Sequence, residues 1–320
     1  MIRSLARGTL VALSLLAGLA HAQTYPSGPI HLIVPYPPGG GADGIARNIS
    51  DELAKTLKVP VVVDNRPGAS STIGINAVAK ARPDGYTIGL VNMAFTANPG
   101  LIKDMPYDTL NDLAPVGMVA KIPLVVAVHP SVKADTLQEY LDLSKQSKEG
   151  LFYGSAGNGT SNHLIAERLK KLTGANLIHV PYRGGAPSVV GLAGNEVSMV
   201  MVSPSSALSF FQSGRLKPIA IGVDQKVANL ESVPPISDTV PNFEAIDFYG
   251  IVAPKGTPPE VIKTLNEALV KTVGSETVQK NLTAQGNIPF TSTPEYFADF
   301  LKHEVKTWGE LIEQVGITAG

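Results

Sequence analysis

Two stretches of the chain carry the residue types of an anion-binding turn: PYPPGGGAD at 35–43 and GSAGNGTSNH at 154–163. Each follows an apolar run and opens a helical pattern. The first-turn amides of a helix have no intrahelical acceptor, and the helix dipole adds partial positive charge there. Such a turn can hold an anion without any basic side chain. Two of them, on separate strand–helix units, predict two jaws closing on one anionic ligand. Asp43 is expected to cap its helix, with contact to a ligand ammonium as the alternative. Ser155, Thr160, Ser161 and Asn162 gather hydroxyl and amide donors at one strand end, where ligands of parallel sheets bind. Tyr182-Arg183-Gly184-Gly185 and Ser203–Ser206 stand at two further strand ends.

A competing chemistry is written in the first turn. Gly39, Gly41 and Gly44 fit GxGxxG after a strand, and Asp64 follows at the end of the next strand, as in a dinucleotide fingerprint. The stiff Pro37-Pro38 pair and the carboxylate of Asp43, beside the place of a pyrophosphate, argue against it. No GxSxG elbow, HExxH, CxxC or P-loop lysine occurs, and the histidines lack metal-ligand spacing. No catalytic residue, metal or cofactor is expected, and the motifs leave an enzyme possible but unsupported. The net charge is −1, with no basic stripe, which disfavours nucleic acid and anionic membrane surfaces as partners. Cysteine is absent, so stability must come from packing.

The elements that must position these turns alternate. Strands are expected at Ile30–Val34, Val59–Val63, Thr87–Val91, Leu124–Val128, Phe152–Gly154, Leu177–Val180, Val197–Val202, Leu216–Val223 and Phe248–Ala253. Helical spacing falls between them, and continuous Val/Ile/Leu runs flanked by helices predict parallel sheets buried on both faces. Asp135 is expected to cap a helix over 136–145. Thr257, Pro258 and Glu260 form a capping box for another, and Thr293-Pro294 starts the last. Residues 1–22 have the basic start, short apolar run and Ala20-His21-Ala22 site of a secretory signal peptide, predicting a periplasmic location. The remainder is expected to form two α/β domains, 23–123 plus 250–320 and 124–249, with the chain crossing between them near 121–125 and 246–251.

Taken in order, VPYPPGGGAD, VVVDNRPGASSTIG, PDGYT, YGSAGNGTSNH, HVPYRGGAP and PKGTPPEVI resemble the Bug family, the periplasmic solute-binding proteins of tripartite tricarboxylate transporters. The likeness spans the whole chain after its leader. It implies a type II periplasmic-binding fold, two α/β domains with parallel-rich sheets, two crossovers and a cleft that closes by a hinge. It implies a binding protein, not an enzyme, that captures a small carboxylate and has the large and small membrane subunits of a transporter as partners; a monomer is expected. Presentation of the same ligand to a sensor kinase is the alternative. The resemblance assigns ligand contacts to Pro38, Gly39, Gly40, Gly41 and Asp43, to Ser155, Asn158, Gly159, Thr160 and Ser161, and to Gly184, Gly185 and Ala186.

Two departures from the family pattern shape the expected ligand. Val202-Ser203 replaces a polar pair that often includes Asp, and Asn92-Met93-Ala94-Phe95-Thr96 replaces a Ser/Thr-rich stretch. Both remove polarity, so Phe95, Val202, Ser203 and Pro204 are expected to shape an apolar ligand body. A dicarboxylate with an apolar middle, or an aromatic acid, is the expected cargo.

Overall fold

A computed structural model describes residues 25–318; the expected signal peptide lies outside them. Two sheets organise the chain. The first has the strand order β11-β4-β10-β3-β1-β2 and the second β7-β6-β8-β5-β9. In the first, β1 (Ile30–Val34) pairs in parallel with β2 (Val61–Asn65) and β3 (Thr87–Val91). β10 (Ile246–Pro254) then runs antiparallel to both β3 and β4 (Leu113–Pro123), and the short β11 (Ile288–Pro289) pairs antiparallel with β4. In the second, β6 (Leu151–Ser155) is parallel to β7 (Leu177–Pro181) and β8 (Met199–Val202), whereas β5 (Val125–Val128) is antiparallel to β8 and to β9 (Lys217–Ile221).

The α/β class is therefore present with mixed sheets. Each sheet is parallel on the side built by strand–helix–strand units and antiparallel where the chain enters or returns. Every residue of β5 and of β8 is buried. Their unbroken apolar runs record a central position, and β5 shows that such a run does not by itself demand parallel neighbours.

Helices follow the strands that feed them: α1 (Gly41–Leu57), α2 (Thr72–Ala79) and α3 (Met93–Leu101) against the first sheet, and α4 (Leu137–Gln146), α5 (Ser161–Thr173), α6 (Gly185–Ala193) and α7 (Pro204–Gln212) against the second. α8 (Pro259–Val273), α9 (Glu276–Ala284) and α10 (Pro294–Val315) complete the chain, with α10 lying on α3 and β4. Among the described residues no helix is long and apolar enough to cross a membrane.

Two caps differ from expectation. Thr136, not Asp135, caps α4, in a reciprocal box with Glu139. Thr257 spends its hydroxyl on the Pro254 carbonyl at 2.8 Å, so α8 begins after Pro258 with no side-chain cap. β4 and α3 have no counterpart among the expected elements, because prolines interrupt both patterns. Pro99 lies inside α3, and Pro115 of β4 faces Val252 at a register shift, a site where a strand tolerates proline.

The chain passes from the first sheet to the second between Pro123 and Val125 and is back in the first sheet at Ile246. That return precedes residue 250, because Ile246 already pairs with Pro123. Three segments are stitched together at this passage. Leu124 N–H donates to Ala245 C=O at 2.8 Å, Gly222 N–H to Leu124 C=O at 2.9 Å, and Ala245 N–H to Gly222 C=O at 3.1 Å.

Candidate functional site

Both glycine turns open on one cleft of about 960 Å³ between the two sheets' loops. Of the residues expected to touch a ligand, Pro38, Gly39, Gly40, Gly41, Asn158, Gly159, Thr160, Ser161, Gly184, Gly185, Ala186 and Ser203 line it; Asp43, Phe95 and Ser155 do not.

The two turns are built alike. Gly40 is the N-cap of α1 and Thr160 that of α5, and the glycine before each cap has a left-handed backbone, φ +84° at Gly39 and +72° at Gly159. In each, the side chain of the third helical residue reaches back to that glycine. Gly39 N–H donates to Asp43 Oδ2 at 2.9 Å, and Gly159 N–H to His163 Nδ1 at 3.1 Å. Asp43 is thereby consumed. It also accepts from Arg47 Nε at 2.9 Å and Asn65 Nδ2 at 3.0 Å, and the Arg47 hydrogen bond above all holds its carboxyl down at about 2. It shapes the turn from behind and offers nothing to the cleft.

Ser155 has the same role in the second turn. Fully buried, it accepts from Gly157 N–H at 3.0 Å and meets His179 Nε2 at 2.6 Å. The His179 ring stacks on His163 with centroids 3.8 Å apart. Burial pushes both imidazoles down to about 4, with Lys170 adding to the effect and Glu167 opposing it at His179. His163 is thus neutral and keeps Nδ1 as an acceptor. The unfolded chain binds these protons near the ordinary 6.5, so stability is full above that value and is lost as pH falls toward 4. Asn at 163 retains an acceptor oxygen but cannot titrate. His163→Asn should therefore flatten the fall in melting temperature between pH 6.5 and 4, read by thermal unfolding of both proteins across that range.

An account of the helix-start amides shows where an anion can go. At α3, Met93 N–H donates to Asp247 Oδ1 at 3.0 Å, Ala94 N–H to Asn92 Oδ1 at 3.2 Å and Phe95 N–H to Asn92 C=O at 3.0 Å, so none is left over. At α1 the first helical bond runs from Gly44 to Gly40, leaving Gly41, Ala42 and Asp43 N–H without an intrahelical acceptor. At α5 it runs from Leu164 to Thr160, leaving Ser161, Asn162 and His163; at α6, from Ser188 to Gly184, leaving Gly185 and Ala186. The Thr160 hydroxyl donates to Gly157 C=O at 2.7 Å, so this turn presents amides and not that hydroxyl. Ser203 Oγ, which also lines the cleft, stands 3.0 Å from Ser206 Oγ.

The apolar wall is not the expected one. Phe95 is buried and stacked on Tyr107, centroids 6.2 Å apart, and it lines a separate cavity of about 360 Å³ beneath α10. Val202 is a core residue and Pro204 is buried at the start of α7. Leu101, Ile122 and Leu124 face the cleft in their place. Tyr36, Asn92, Asp247 and Tyr249 also line it, and the sequence reading passed over all four. For Asp247 a signal was present: a lone acid in the apolar run IDFYGIVAP, whose strand begins at Ile246 and not at Phe248. Asp247 is buried, which drives its carboxyl pKa up; Met93 N–H, the Ser161 hydroxyl and Phe248 N–H work against that rise. Among the described residues no cluster of histidines and acids is arranged to hold a metal ion.

Comparison with known proteins matches residues 45–317 to the tripartite tricarboxylate transporter family receptor. The chain is 34% identical over 312 residues to Protein BugT of Bordetella pertussis, covering 97% of this chain and 96% of BugT. A solved structure of a periplasmic transporter superposes with a TM-score of 0.81 at 34% identity, covering 92% of this chain and 99% of that one. Rpa4515 of R. palustris, solved with adipate, also gives 0.81, at 29% identity and the same coverage. Such relatives bind solutes and perform no chemistry. By a family match over most of its length, this chain belongs to the Bug-type receptors of tripartite tricarboxylate transporters, and is a periplasmic-type solute-binding protein.

Proposed function

We propose that the protein captures a small carboxylate, a diacid or an aromatic acid, between its two α/β lobes and delivers it to the membrane subunits of a tripartite tricarboxylate transporter. One observation carries the reading: the unpaired first-turn amides of α1, from the first sheet, and of α5 and α6, from the second, open on one cleft. An anion held by both sets would tie the lobes together, so binding and hinge closure would be one event. Hydrogen bonds to a charged acceptor are worth about 1.5–3 kcal/mol each, enough to make backbone amides sufficient. The adipate in Rpa4515 makes diacids the first compounds to try. We further propose export by residues 1–22, a monomeric state, and two lobes, 23–123 with 246–320 and 124–245, the return moved from the expected 250 to Ile246, where β10 begins.

The test joins calorimetry to small-angle scattering. Diacids and aromatic acids are titrated into purified protein, and any binder is added before scattering. Binding accompanied by a smaller radius of gyration is the expected result. Failure of every carboxylate to bind would overturn the proposal, and binding without compaction would remove hinge closure from it.

A further inference from the structure

Helix α3 stands between two spaces. Asn92, Ala94, Asn98 and Leu101 line the interlobe cleft, whereas Phe95 lines the separate cavity of about 360 Å³ beneath α10. That cavity forms where α10 lies on β4. Small residues of the two elements, Ala298 and Ala114, leave room in its wall, and Pro115 stands opposite Val252 at a register shift of the β4–β10 pairing. Phe95, Leu113, Val252 and Leu301 supply buried apolar surface. Exposed residues, Leu110, Asn111, Lys255 and Lys302, mark the mouth. Protein interiors hold few voids larger than a water molecule, and an apolar cavity of roughly 150 Å³ already takes up benzene. This one is more than twice as large.

Two polar groups of the cavity are left unused by the fold. Thr109 is buried, and its hydroxyl has no hydrogen-bond partner, an exception that native interiors seldom tolerate. Among the described residues no carboxylate pairs with Lys255. Its backbone N–H donates to Asp112 C=O at 3.0 Å, which ties it to the loop that carries Thr109. The acids of that loop turn to its own backbone: Asp108 Oδ1 accepts from Leu110 and Asn111 N–H, and Asp112 Oδ2 from Asp108 N–H. Lys302 is shared with Asp299 at 3.0 Å. An apolar chamber with an unpaired ammonium at its mouth suits a ligand that is apolar at one end and anionic at the other. We propose that this cavity is a second ligand site, which takes a monocarboxylate with an apolar body of about eight carbons. Lys255 meets the carboxylate, Thr109 offers a further donor, and Leu113, Val252 and Leu301 enclose the chain. A diacid does not suit it, because the second charge would be buried among apolar side chains.

Calorimetry with octanoate and with 1-octanol tests the proposal. The wild-type protein should bind one octanoate per chain at this site. Ala298→Trp fills the cavity from α10 and should weaken octanoate by about tenfold or more. Lys255→Glu, at an exposed position that leaves the fold alone, should weaken octanoate by about fivefold and leave 1-octanol unchanged. Gly41→Pro, which alters the interlobe cleft, should leave octanoate binding as it is. Absence of saturable octanoate binding overturns the proposal, as does binding that Ala298→Trp leaves intact. Binding lost in Gly41→Pro belongs to the interlobe cleft and also overturns it, with the receptor reading untouched. If Lys255→Glu shows no preferential loss of octanoate over 1-octanol, the anionic ligand class is wrong.

Discussion

Gly41→Pro should fold normally and lose most of the affinity for whichever carboxylate the wild-type protein binds. Gly41 is the first residue of α1, the helix position where proline is best tolerated, because its missing N–H has no intrahelical partner there. The preceding residue is already extended, at φ −84° and ψ 175° for Gly40, as a residue before proline must be. The substitution thus deletes one cleft-facing donor and little else. A lost hydrogen bond to a charged oxygen is worth about 1.5–3 kcal/mol, which corresponds to roughly a tenfold to 150-fold weaker complex. Gly41→Ala is the control. It restores the N–H, and its Cβ would stand 3.9 Å from the Tyr249 hydroxyl, an ordinary contact. Calorimetry on both variants, with circular dichroism to confirm the fold, decides the matter. Undiminished affinity in Gly41→Pro would show that the α1 amides do not touch the ligand.

The largest stability effect is expected at Gly222. A Cβ there would lie 2.0 Å from the Ala245 carbonyl oxygen and 2.6 Å from its carbon, and this obstacle is backbone that cannot rotate away. Gly222→Ala must pry apart the hydrogen-bonded passage of Leu124, Gly222 and Ala245. Overpacking of this kind costs about 1–3 kcal/mol and each broken bond about 1 kcal/mol more, so a loss of about 3–5 kcal/mol follows. Urea unfolding should show it as a lower midpoint. A change under about 1 kcal/mol would mean that the segments separate freely, and that the passage between the sheets is loosely held.

The fold was readable where strand and helix carried unbroken patterns. β1, β3 and the buried β5 and β8 stand close to their expected places: β5 and β8 are four consecutive apolar residues each, and β1 and β3 are apolar but for His31 in one and Thr87 and Gly89 in the other. It was unreadable where proline interrupted a pattern that tertiary pairing then rescued, as in β4 and α3. The site divides in the same manner. Glycines and first-turn residues were legible because turn geometry is local, and most of those expected to line a cleft do so. Asp43 and Ser155 were also found, but sequence could not tell which side of the turn their oxygens occupy. Phe95 and Asp247 were both misjudged: the aromatic residue expected at the ligand entered the core, and the acid just before the strand expected from Phe248 entered β10 and lines the cleft. Both outcomes depend on which face of a strand or helix points across the cleft, a property of packing between distant segments.

The proposed reliance on amides over ionised side chains has a consequence for the rate of capture. Partial charges at helix ends fade within about a turn, and the whole chain carries a formal charge of only −1. An approaching metabolite would feel almost no long-range pull and would be caught by collision with the open mouth. In exchange, the grip would change little with ionic strength, because there is scarcely any screened field to lose. Such a receptor trades encounter speed for steadiness in a fluid whose salt content it does not control.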